Sequence, residues 1–146
     1  MLKHIRITQE AFDPAREAGL LPAHAGAIVT FTGCVRAEDG LSALTLEHYP
    51  GMTEAEIARH VDEAERRWPL LGAVVIHRLG ALSPGEPIVL VAVAAAHRRE
   101  AFAACEFLMD YLKTRAPFWK QEHKGARTQW VDAKASDDAA AERWKS

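Results

Sequence analysis

The sequence predicts an α+β fold, a single domain over residues 1–146 with a mainly antiparallel sheet. Short β-branched segments bounded by turn residues alternate with amphipathic helical segments along the chain. One of these segments, Ile88–Ala95, is continuously apolar, which is typical of a central strand covered on both faces. The 146 residues, 49% of them hydrophobic and 26% charged, are enough for one hydrophobic core.

Six segments are predicted to be strands because they alternate in polarity or are rich in β-branched and aromatic residues. In chain order they are Leu2–Thr8, Gly26–Arg36, Leu41–Tyr49, Ala73–Leu79, Ile88–Ala95 and Gln129–Asp132. The third follows a turn at residues 38–40, so it is expected to pair antiparallel with the second. Gly33, inside the second strand, indicates a β-bulge or the close approach of a ligand to the backbone.

The first two helices have clear start and stop signals. Asp13 is a good N-cap and Pro14 suits the first helical position, so a short helix runs toward Gly19. The run Thr53–Glu56 has the form of a capping box and opens a second helix, which Pro69 ends. Apolar residues at helical spacing predict the buried face of this second helix: Ile57, Val61, Ala64 and Trp68.

A long third helix is predicted to begin after His97, where the apolar strand ends. Its predicted buried face consists of Phe102, Cys105, Met109 and Leu112. Pro117 cannot continue a helix and disfavours helical backbone at Ala116, so this helix is expected to end near Arg115. A final helix is expected to follow the capping residues 136–138 and to end near Trp144.

Composition excludes several classes of function. The formal net charge is −2 with the seven histidines neutral, so no general nucleic-acid or membrane surface is indicated. The longest apolar run is far too short to span a bilayer, and the N-terminus has no signal-peptide core.

Cys34 and Cys105 lack metal-ligand spacing, and a reducing, cytoplasmic setting is expected. No histidine pair has a zinc-binding spacing, so no metal or cofactor is expected.

The segment Asp110–His123 combines a helix end, a rigid turn and a cluster of basic side chains. Lys113 is predicted to lie in the last helical turn and Lys120 beyond the proline bend, so the two lysines can converge on one pocket wall. Phe118 and Trp119 are expected to exclude water, which a lysine needs if it is to act in catalysis. The alternative is that Lys113 only stabilises the helix C-terminus through the helix dipole.

His97 and Arg98 lie where a buried strand meets a helix N-terminus. Free backbone N–H groups and the positive end of the helix dipole make this junction an anion site, and the Arg98 guanidinium suits a phosphate. Arg36, at the end of another strand, is expected to face the same pocket. Both arginines also fit a simpler interpretation as ordinary solvated charges. The residues alone support a basic, lysine-containing pocket for a phosphorylated anion.

Other candidate residues are interpreted as structural. His77 and Arg78 resemble an ordinary pair of strand residues, and Cys34 a small buried hydrophobic side chain more than a nucleophile. Glu47 and His48 are neighbours on a strand and therefore point to opposite faces. The sequence contains no nucleophile elbow, P-loop or dinucleotide-binding fingerprint.

Five ordered motifs together resemble one family. They are Phe31–Arg36, Leu44–Met52, Ile76–Arg78, Ala96–Arg98 and Asp110–Lys120. Their order and spacing are similar to those of the large, catalytic subunit of molybdopterin synthase, and the resemblance extends from about Gly26 to Trp144. The strings EHYPGM and APFWK are the most specific parts of it.

The resemblance implies an α/β hammerhead-type fold and a homodimer within a heterotetramer. Each large subunit would bind a small ubiquitin-like sulfur-carrier subunit, whose C-terminal Gly-Gly thiocarboxylate enters the pocket. The implied activity is that of a sulfurtransferase. Two sulfurs pass to cyclic pyranopterin monophosphate and form the dithiolene of molybdopterin, with no role for nucleic acid or a membrane.

The same resemblance implies roles for individual residues. Lys113 and Lys120 are the implied catalytic residues, which would orient the thiocarboxylate and stabilise developing charge. The implied substrate-binding residues are Cys34, Val35, Arg36, His97, Arg98, Lys113, Lys120, Gln121 and Glu122. Gln121 replaces an expected basic residue, and Lys134 stands where some members have arginine. Cys34 is not assigned the role of a sulfur carrier.

Two other functions are compatible with the sequence. The chain could be a non-catalytic adaptor that binds a ubiquitin-like partner, but an adaptor does not need the lysine pair together with His97 and Arg98. It could also be a small RNA-binding module, which the acidic net charge and the lack of a broad basic stripe disfavour.

Overall fold

The structure, a computed structural model, describes residues 1–37, 41–116, 118–124, 127–131 and 135–145. Within these ranges the chain forms eight strands and four helices. The strands are β1 (Leu2–Thr8), β2 (Ala27–Cys34), β3 (Leu41–His48), β4 (Leu70–Arg78), β5 (Gly80–Leu82), β6 (Pro87–Ala95), β7 (Phe118–Lys124) and β8 (Arg127–Val131). The helices are α1 (Pro14–Ala18), α2 (Met52–Arg67), α3 (Arg98–Thr114) and α4 (Ala135–Glu142).

The strands form two four-stranded sheets. The first sheet has the order β1-β4-β6-β2 and the second the order β5-β3-β7-β8. β1 and β4 run parallel, and the other described strand pairs are antiparallel. The predicted α+β class with a mainly antiparallel sheet is confirmed.

β6 is the central strand of the first sheet, as its continuous apolar sequence predicts. It lies between β4 and β2, and every residue from Leu90 to Ala95 is fully buried. One face of this strand joins a core shared with α2 and α3. The opposite face packs against Phe12 and Leu21 from the N-terminal segment. Because both faces are covered, alternation of polar and apolar residues is absent from its sequence.

The buried faces of the two long helices agree with most of the predicted positions. Ile57, Val61 and Ala64 on α2 are buried, whereas Trp68 is the extended C-cap residue that follows this helix. On α3, Cys105 and Met109 are buried and Leu112 is half-buried. The prediction for Phe102 is wrong, since 59% of it is exposed. The sheet-facing side of α3 is occupied instead by smaller residues such as Ala101 and Ala104.

The start of α2 differs from the predicted capping box. The helix begins at Met52 after Gly51, whose N–H donates to Glu54 Oε2 at 2.7 Å. Gly51 has a φ of 80°, a conformation that favours glycine. The buried Thr53 hydroxyl accepts a hydrogen bond from the Tyr49 N–H at 3.2 Å. The N-cap therefore lies two residues before the predicted one, inside the Pro-Gly turn.

The predicted start of α1 and the predicted end of α3 are confirmed. Asp13 caps α1, with Oδ1 accepting from the backbone N–H of Ala15 and Arg16. α3 ends at Thr114, and Arg115 is its C-cap. Pro117 itself lies outside the described residues. None of the helices in the described part of the chain has the length and apolar character needed to cross a membrane.

The predicted pairing of β3 with β2 is wrong, because β3 pairs with β5 and β7 in the second sheet. After β2 the chain leaves the first sheet at Val35, whose N–H donates to the Glu86 carbonyl at 2.9 Å. Val35 is buried in a small core with Leu44, Leu46 and Leu82. This core forms only if β3 lies in the second sheet.

The C-terminal elements lie close to their predicted positions. β8 covers most of the predicted strand, and Asp132 lies outside the described residues. α4 begins at Ala135, so residues 136–138 are in its first turn. Trp144 follows this helix and packs edge-on against Trp68 and Phe107, with ring centroids 5.6 Å apart in each pair.

Candidate active site

A buried histidine lies where the two sheets meet. The His77 ring stacks on Phe118, with centroids 3.9 Å apart, and only 7% of His77 is exposed. His77 Nδ1–H donates to the Arg78 carbonyl at 2.9 Å, so the proton of the neutral ring is on Nδ1. Burial, with a smaller contribution from the Lys113 charge, lowers the pKa of His77 to about 4. The imidazole is therefore neutral at physiological pH.

Both predicted catalytic lysines lie in the neighbourhood of this stack. Lys113 is in the last turn of α3, near enough for its charge to act on His77. Lys120 follows Phe118 by two residues in β7, so both side chains project from the same face of that strand. Lys113 and Lys120 are thus both connected to the His77–Phe118 stack, and their convergence on one pocket wall stays a prediction.

Phe118 does not shield Lys113 in the way the sequence suggests. Its ring packs face to face on His77, and Lys113 is exposed on the surface of the chain. The Trp119 side chain lies outside the described residues. Lys120, by contrast, is half-buried. Water is therefore not excluded from Lys113 by Phe118 in the isolated chain, and any further desolvation has to come from a bound molecule.

The end of β2 lies beside Lys120. In β3, Leu46 is directly opposite Lys120 and Leu44 is opposite Glu122, so these four side chains share one face of the second sheet. Val35 packs on the two leucines of that face. Arg36, the next residue, is exposed. Lys120, Glu122 and the Val35–Arg36 segment consequently belong to one region of the molecule.

The bulge predicted at Gly33 and Cys34 lies in the partner strand, because the extra residue is Ile88 of β6. The β2–β6 register shifts between them, because Gly33 pairs with Val89 and Cys34 with Pro87. A Cβ at Gly33 would lie 2.7 Å from Val89 Cγ1, so a neighbouring side chain explains this glycine. The interpretation of Cys34 as a buried hydrophobic residue is wrong, since it is exposed at the strand end.

Gln121 and Glu122 differ in where they point. Gln121 lies between Lys120 and Glu122 in β7 and therefore projects from the opposite face of the strand. Glu122 shares the face of Lys120, and its Oε2 lies 3.5 Å from Lys124 Nζ. The structure thus brings Glu122 to the lysine region and directs Gln121 away from it. Lys134 lies outside the described residues.

His97 and Arg98 form a second basic site at the other end of α3. His97 is the N-cap of this helix, its side chain makes no capping hydrogen bond, and both residues are exposed. The first-turn N–H groups are thus open to an anion, as predicted. Arg98 and Lys113 are separated by about 22 Å along the helix axis, at 1.5 Å per residue. Arg36 follows the end of β2 that pairs with Pro87, whereas Arg98 follows Ala95 at the opposite end of β6, so the two arginines do not face the same pocket within one chain.

His77 is the residue of this region that the sequence interpretation missed. Its sequence signal is a histidine inside the otherwise apolar strand β4, where every residue from Gly72 to Arg78 is buried. A polar side chain in such a strand needs a specific partner. Here the Arg78 carbonyl and the Phe118 ring supply it. Among the described residues, no group of three or more His, Cys, Asp or Glu side chains could hold a metal ion.

Comparison with known proteins identifies the class to which this fold and basic site belong. Residues 7–115 match the family model described as "MoaE protein". The molybdopterin synthase catalytic subunit of Mesorhizobium japonicum is 57% identical over 148 residues, covering 97% of this chain and 93% of that protein. The corresponding subunit of Escherichia coli is 59% identical over 122 residues, 82% of this chain and 81% of that one.

Solved structures agree with this classification. The molybdopterin biosynthesis MoaE protein from Burkholderia ambifaria superimposes with a TM-score of 0.85 at 48% identity, covering 98% of each chain. Molybdopterin synthase from Staphylococcus aureus gives a TM-score of 0.79 at 31% identity, covering 86% of this chain and 94% of that one. The chain belongs to the MoaE family.

Proposed function

We propose that this chain is the catalytic subunit of a molybdopterin synthase and acts as a sulfurtransferase. It would transfer sulfur from the C-terminal thiocarboxylate of a small ubiquitin-like carrier to cyclic pyranopterin monophosphate, forming the molybdopterin dithiolene. Two observations support this function: membership of the MoaE family and the names of the relatives, which are molybdopterin synthase catalytic subunits.

Two observations carry the proposal: Lys113 is near enough to His77 for its charge to act on that ring, and Lys120 projects from the same face of β7 as Phe118, which stacks on His77. A thiocarboxylate is an anion, and two ammonium groups from different elements can hold it in one orientation. The same charges would stabilise the oxyanion that develops on its carbonyl oxygen. In this proposal, His77 is a positioning residue, since it holds the start of β7 through Phe118.

An extended carrier tail would also supply the shielding that the isolated chain lacks. Lys113 is exposed, and a peptide laid between it and Lys120 would displace water from both ammonium groups. Loss of water strengthens electrostatic interactions in the site. Without an acceptor, Lys113 could itself attack the acyl carbon of the carrier and form an isopeptide bond, with sulfide leaving.

The phosphate of the pterin would be held by Arg36 together with His97 and Arg98 of a second copy of the chain. The long separation of Arg98 from Lys113 on α3 supports a composite site. Three large apolar residues of β2 and α3 are exposed: Ile28 (49%), Phe31 (41%) and Phe102 (59%). Phe102 is one helical turn from Arg98, and β2 is an edge strand of the first sheet. These features favour a homodimer packed through β2 and α3.

Reconstitution tests the proposal directly. The purified chain is incubated with the thiocarboxylated carrier and cyclic pyranopterin monophosphate, and dithiolene formation is followed. We expect product with all three components and none with a carrier that ends in an ordinary carboxylate. An adaptor would bind the carrier but form no product, which would contradict the proposal. A cytoplasmic location belongs to the same proposal and is supported by the two free cysteine thiols.

A further inference from the structure

A cavity of about 350 Å³ lies between α2, α3 and the segment that follows α4. None of the residues that line it is among the predicted site residues. One side of α2 and one side of α3 face this cavity, and the C-terminal residues 141–145 close it. Its volume falls within the range of small-molecule binding sites, which is roughly 300–1,000 Å³.

The lining of this cavity is unusually basic for an acidic chain. Its cationic residues are Arg59, Arg66, Arg67, Arg115 and Lys145. The carboxylates paired with four of them are Glu56, Glu63 and Glu142, at 2.6 to 3.1 Å. Five cations thus face three carboxylates, in a chain whose net charge is −2. Exposed ion pairs of this kind are weak, about 0–1 kcal/mol, so a stronger anion can displace the carboxylates.

Arg115 is the cation most available to a ligand. It has no ion pair among the described residues, whereas Arg66 and Arg67 share Glu63. As the C-cap of α3, Arg115 is held by a backbone hydrogen bond from its N–H to the Tyr111 carbonyl at 2.8 Å. Its guanidinium can form two parallel hydrogen bonds with a phosphate.

The apolar floor of the cavity contains a buried hydroxyl that lacks an acceptor. Tyr111 is 5% exposed, and its hydroxyl has no hydrogen-bond partner in the described part of the chain. Its ring is stacked on His60, with centroids 3.5 Å apart. Burial raises the pKa of Tyr111 to about 12, so the hydroxyl keeps its proton and is a donor. An unsatisfied buried donor costs about 1–3 kcal/mol; the hydroxyl is inaccessible in the free chain, so a ligand oxygen would relieve that cost after a small movement of the ring.

We propose that this cavity binds the oligophosphate chain of a small ligand, either a nucleoside triphosphate or an inorganic polyphosphate. Arg59 and Arg66 are seven residues apart on α2, which places them about 10 Å apart along its axis. Cations spread over that length can contact successive phosphates of a chain, but they cannot all contact one isolated phosphate. The aromatic floor formed by Phe107, Tyr111 and Trp144 lowers the local dielectric and strengthens these contacts.

Isothermal titration of the whole chain tests this site without any component of the synthase reaction. The probes are ATP, inorganic tripolyphosphate and adenosine, at 0.15 M ionic strength without divalent cations. We expect saturable one-to-one binding of ATP and tripolyphosphate and no binding of adenosine. Equal affinities would identify an inorganic polyphosphate as sufficient, and tighter binding of ATP would identify a nucleotide.

Matched variants locate the binding. Arg115→Gln should weaken tripolyphosphate binding about tenfold or more, the loss expected for a charged hydrogen bond. Arg16→Gln makes the same charge change at an exposed position on α1 and should leave affinity almost unchanged. Tyr111→Phe should weaken binding without lowering the stability of the free chain, because the removed hydroxyl has no described partner there.

Three results would overturn the site. The first is the absence of saturable binding. The second is an equal loss of tripolyphosphate affinity in Arg115→Gln and Arg16→Gln. The third is a loss of affinity in Arg36→Gln with normal affinity in Arg115→Gln. The last result would show that the anion binds at the candidate active site instead. Because the titration uses no carrier or pterin, its outcome is independent of whether the chain makes molybdopterin.

Discussion

The imidazole of His77 stacks on the ring of Phe118, with 3.9 Å between centroids and 17° between planes. The contact joins the two sheets, because His77 is in β4 of the first and Phe118 opens β7 of the second. It also fixes the start of β7 two residues before Lys120. A buried side chain thereby positions a predicted catalytic one.

Stability should fall in acid because of His77. Its pKa is about 4 in the folded chain, mainly through burial, against an ordinary value of 6.5. Between these values the unfolded chain binds more protons, so the contribution of His77 is complete above about pH 6.5 and is lost as the pH falls toward 4. The loss is on the order of 3 kcal/mol. Urea unfolding at pH 7.5 and 4.5 measures it.

His77→Phe should remove most of this dependence on pH, since Phe keeps the stacking but cannot be protonated. His24→Gln is the matched control, because His24 is exposed and its loss should leave the dependence intact. A smaller dependence of stability on pH should persist in His77→Phe, because burial also lowers the pKa of His60. An unchanged dependence in His77→Phe would contradict the assignment of the effect to this residue.

Gly33→Ala should destabilise the chain by about 1–3 kcal/mol, the usual cost of overpacking. The new Cβ would lie 2.7 Å from Val89 Cγ1 and 3.2 Å from the Phe31 ring. Val89→Ala removes the nearer obstacle, so the double variant should lose less stability than the sum of the losses in the two single variants. Denaturant unfolding of all four proteins measures this coupling. Strict additivity would show that Val89 is not what excludes a side chain at position 33.

The sequence alone predicted those helices and strands whose residue pattern is set by local rules. The apolar run of β6 predicted a central strand, and Pro117 predicted the end of α3 near Arg115. These succeed because a fully buried strand excludes polar residues and proline ends a helix wherever it occurs. The helix ends were therefore predictable to within a few residues, whereas the two basic sites stay predictions.

The second sheet could not be predicted in the same way. β7 has the sequence FWKQEHK, which is mostly polar and shows little β-branching, and its strand form depends on pairing with β3 and β8. The prediction that β3 pairs with β2 failed because adjacency along the chain was used in place of tertiary contacts. The same limit hid the separation of Arg36 from Arg98, since only the β2–β6 register shows that they lie at opposite ends of β6.

Lys113→Ala and Lys120→Ala should each reduce dithiolene formation severely, by about 10²-fold or more for loss of a charge-stabilising group. Both positions are outside the buried core, so the variants should unfold at nearly the wild-type denaturant concentration. Lys3→Ala is the control, because Lys3 is exposed and pairs with Asp62 and Glu65 on the surface.

Lys113→Arg separates charge from nucleophilicity at this position. Arginine remains charged and cannot attack an acyl carbon, so we expect activity to stay low and no isopeptide-linked complex to form without acceptor. Mass spectrometry of the carrier complex, with and without pterin, detects the cross-link. Near-normal turnover in Lys113→Arg would show that only positive charge is needed, and the nucleophilic role would then be dropped.

Mixing two inactive variants tests whether the site is shared between copies of the chain. In a mixed dimer of Arg98→Ala and Lys113→Ala, one composite site has both native residues and the other has neither. Random exchange of subunits should therefore restore roughly a quarter of wild-type activity. The recovery depends on Arg98 and Lys113 acting from different chains, as in the composite site proposed above.

The control for this experiment mixes Lys113→Ala with Lys120→Ala. In the proposed site both lysines come from the same chain, so every site in that mixed dimer lacks one of them and activity should stay low. Activity of the two mixtures is measured after subunit exchange in mild denaturant and its removal. Equal recovery in both would contradict the assignment of Lys113 and Lys120 to one chain. No recovery in the first mixture would contradict a composite site, because Arg98 could then serve only the chain that carries it.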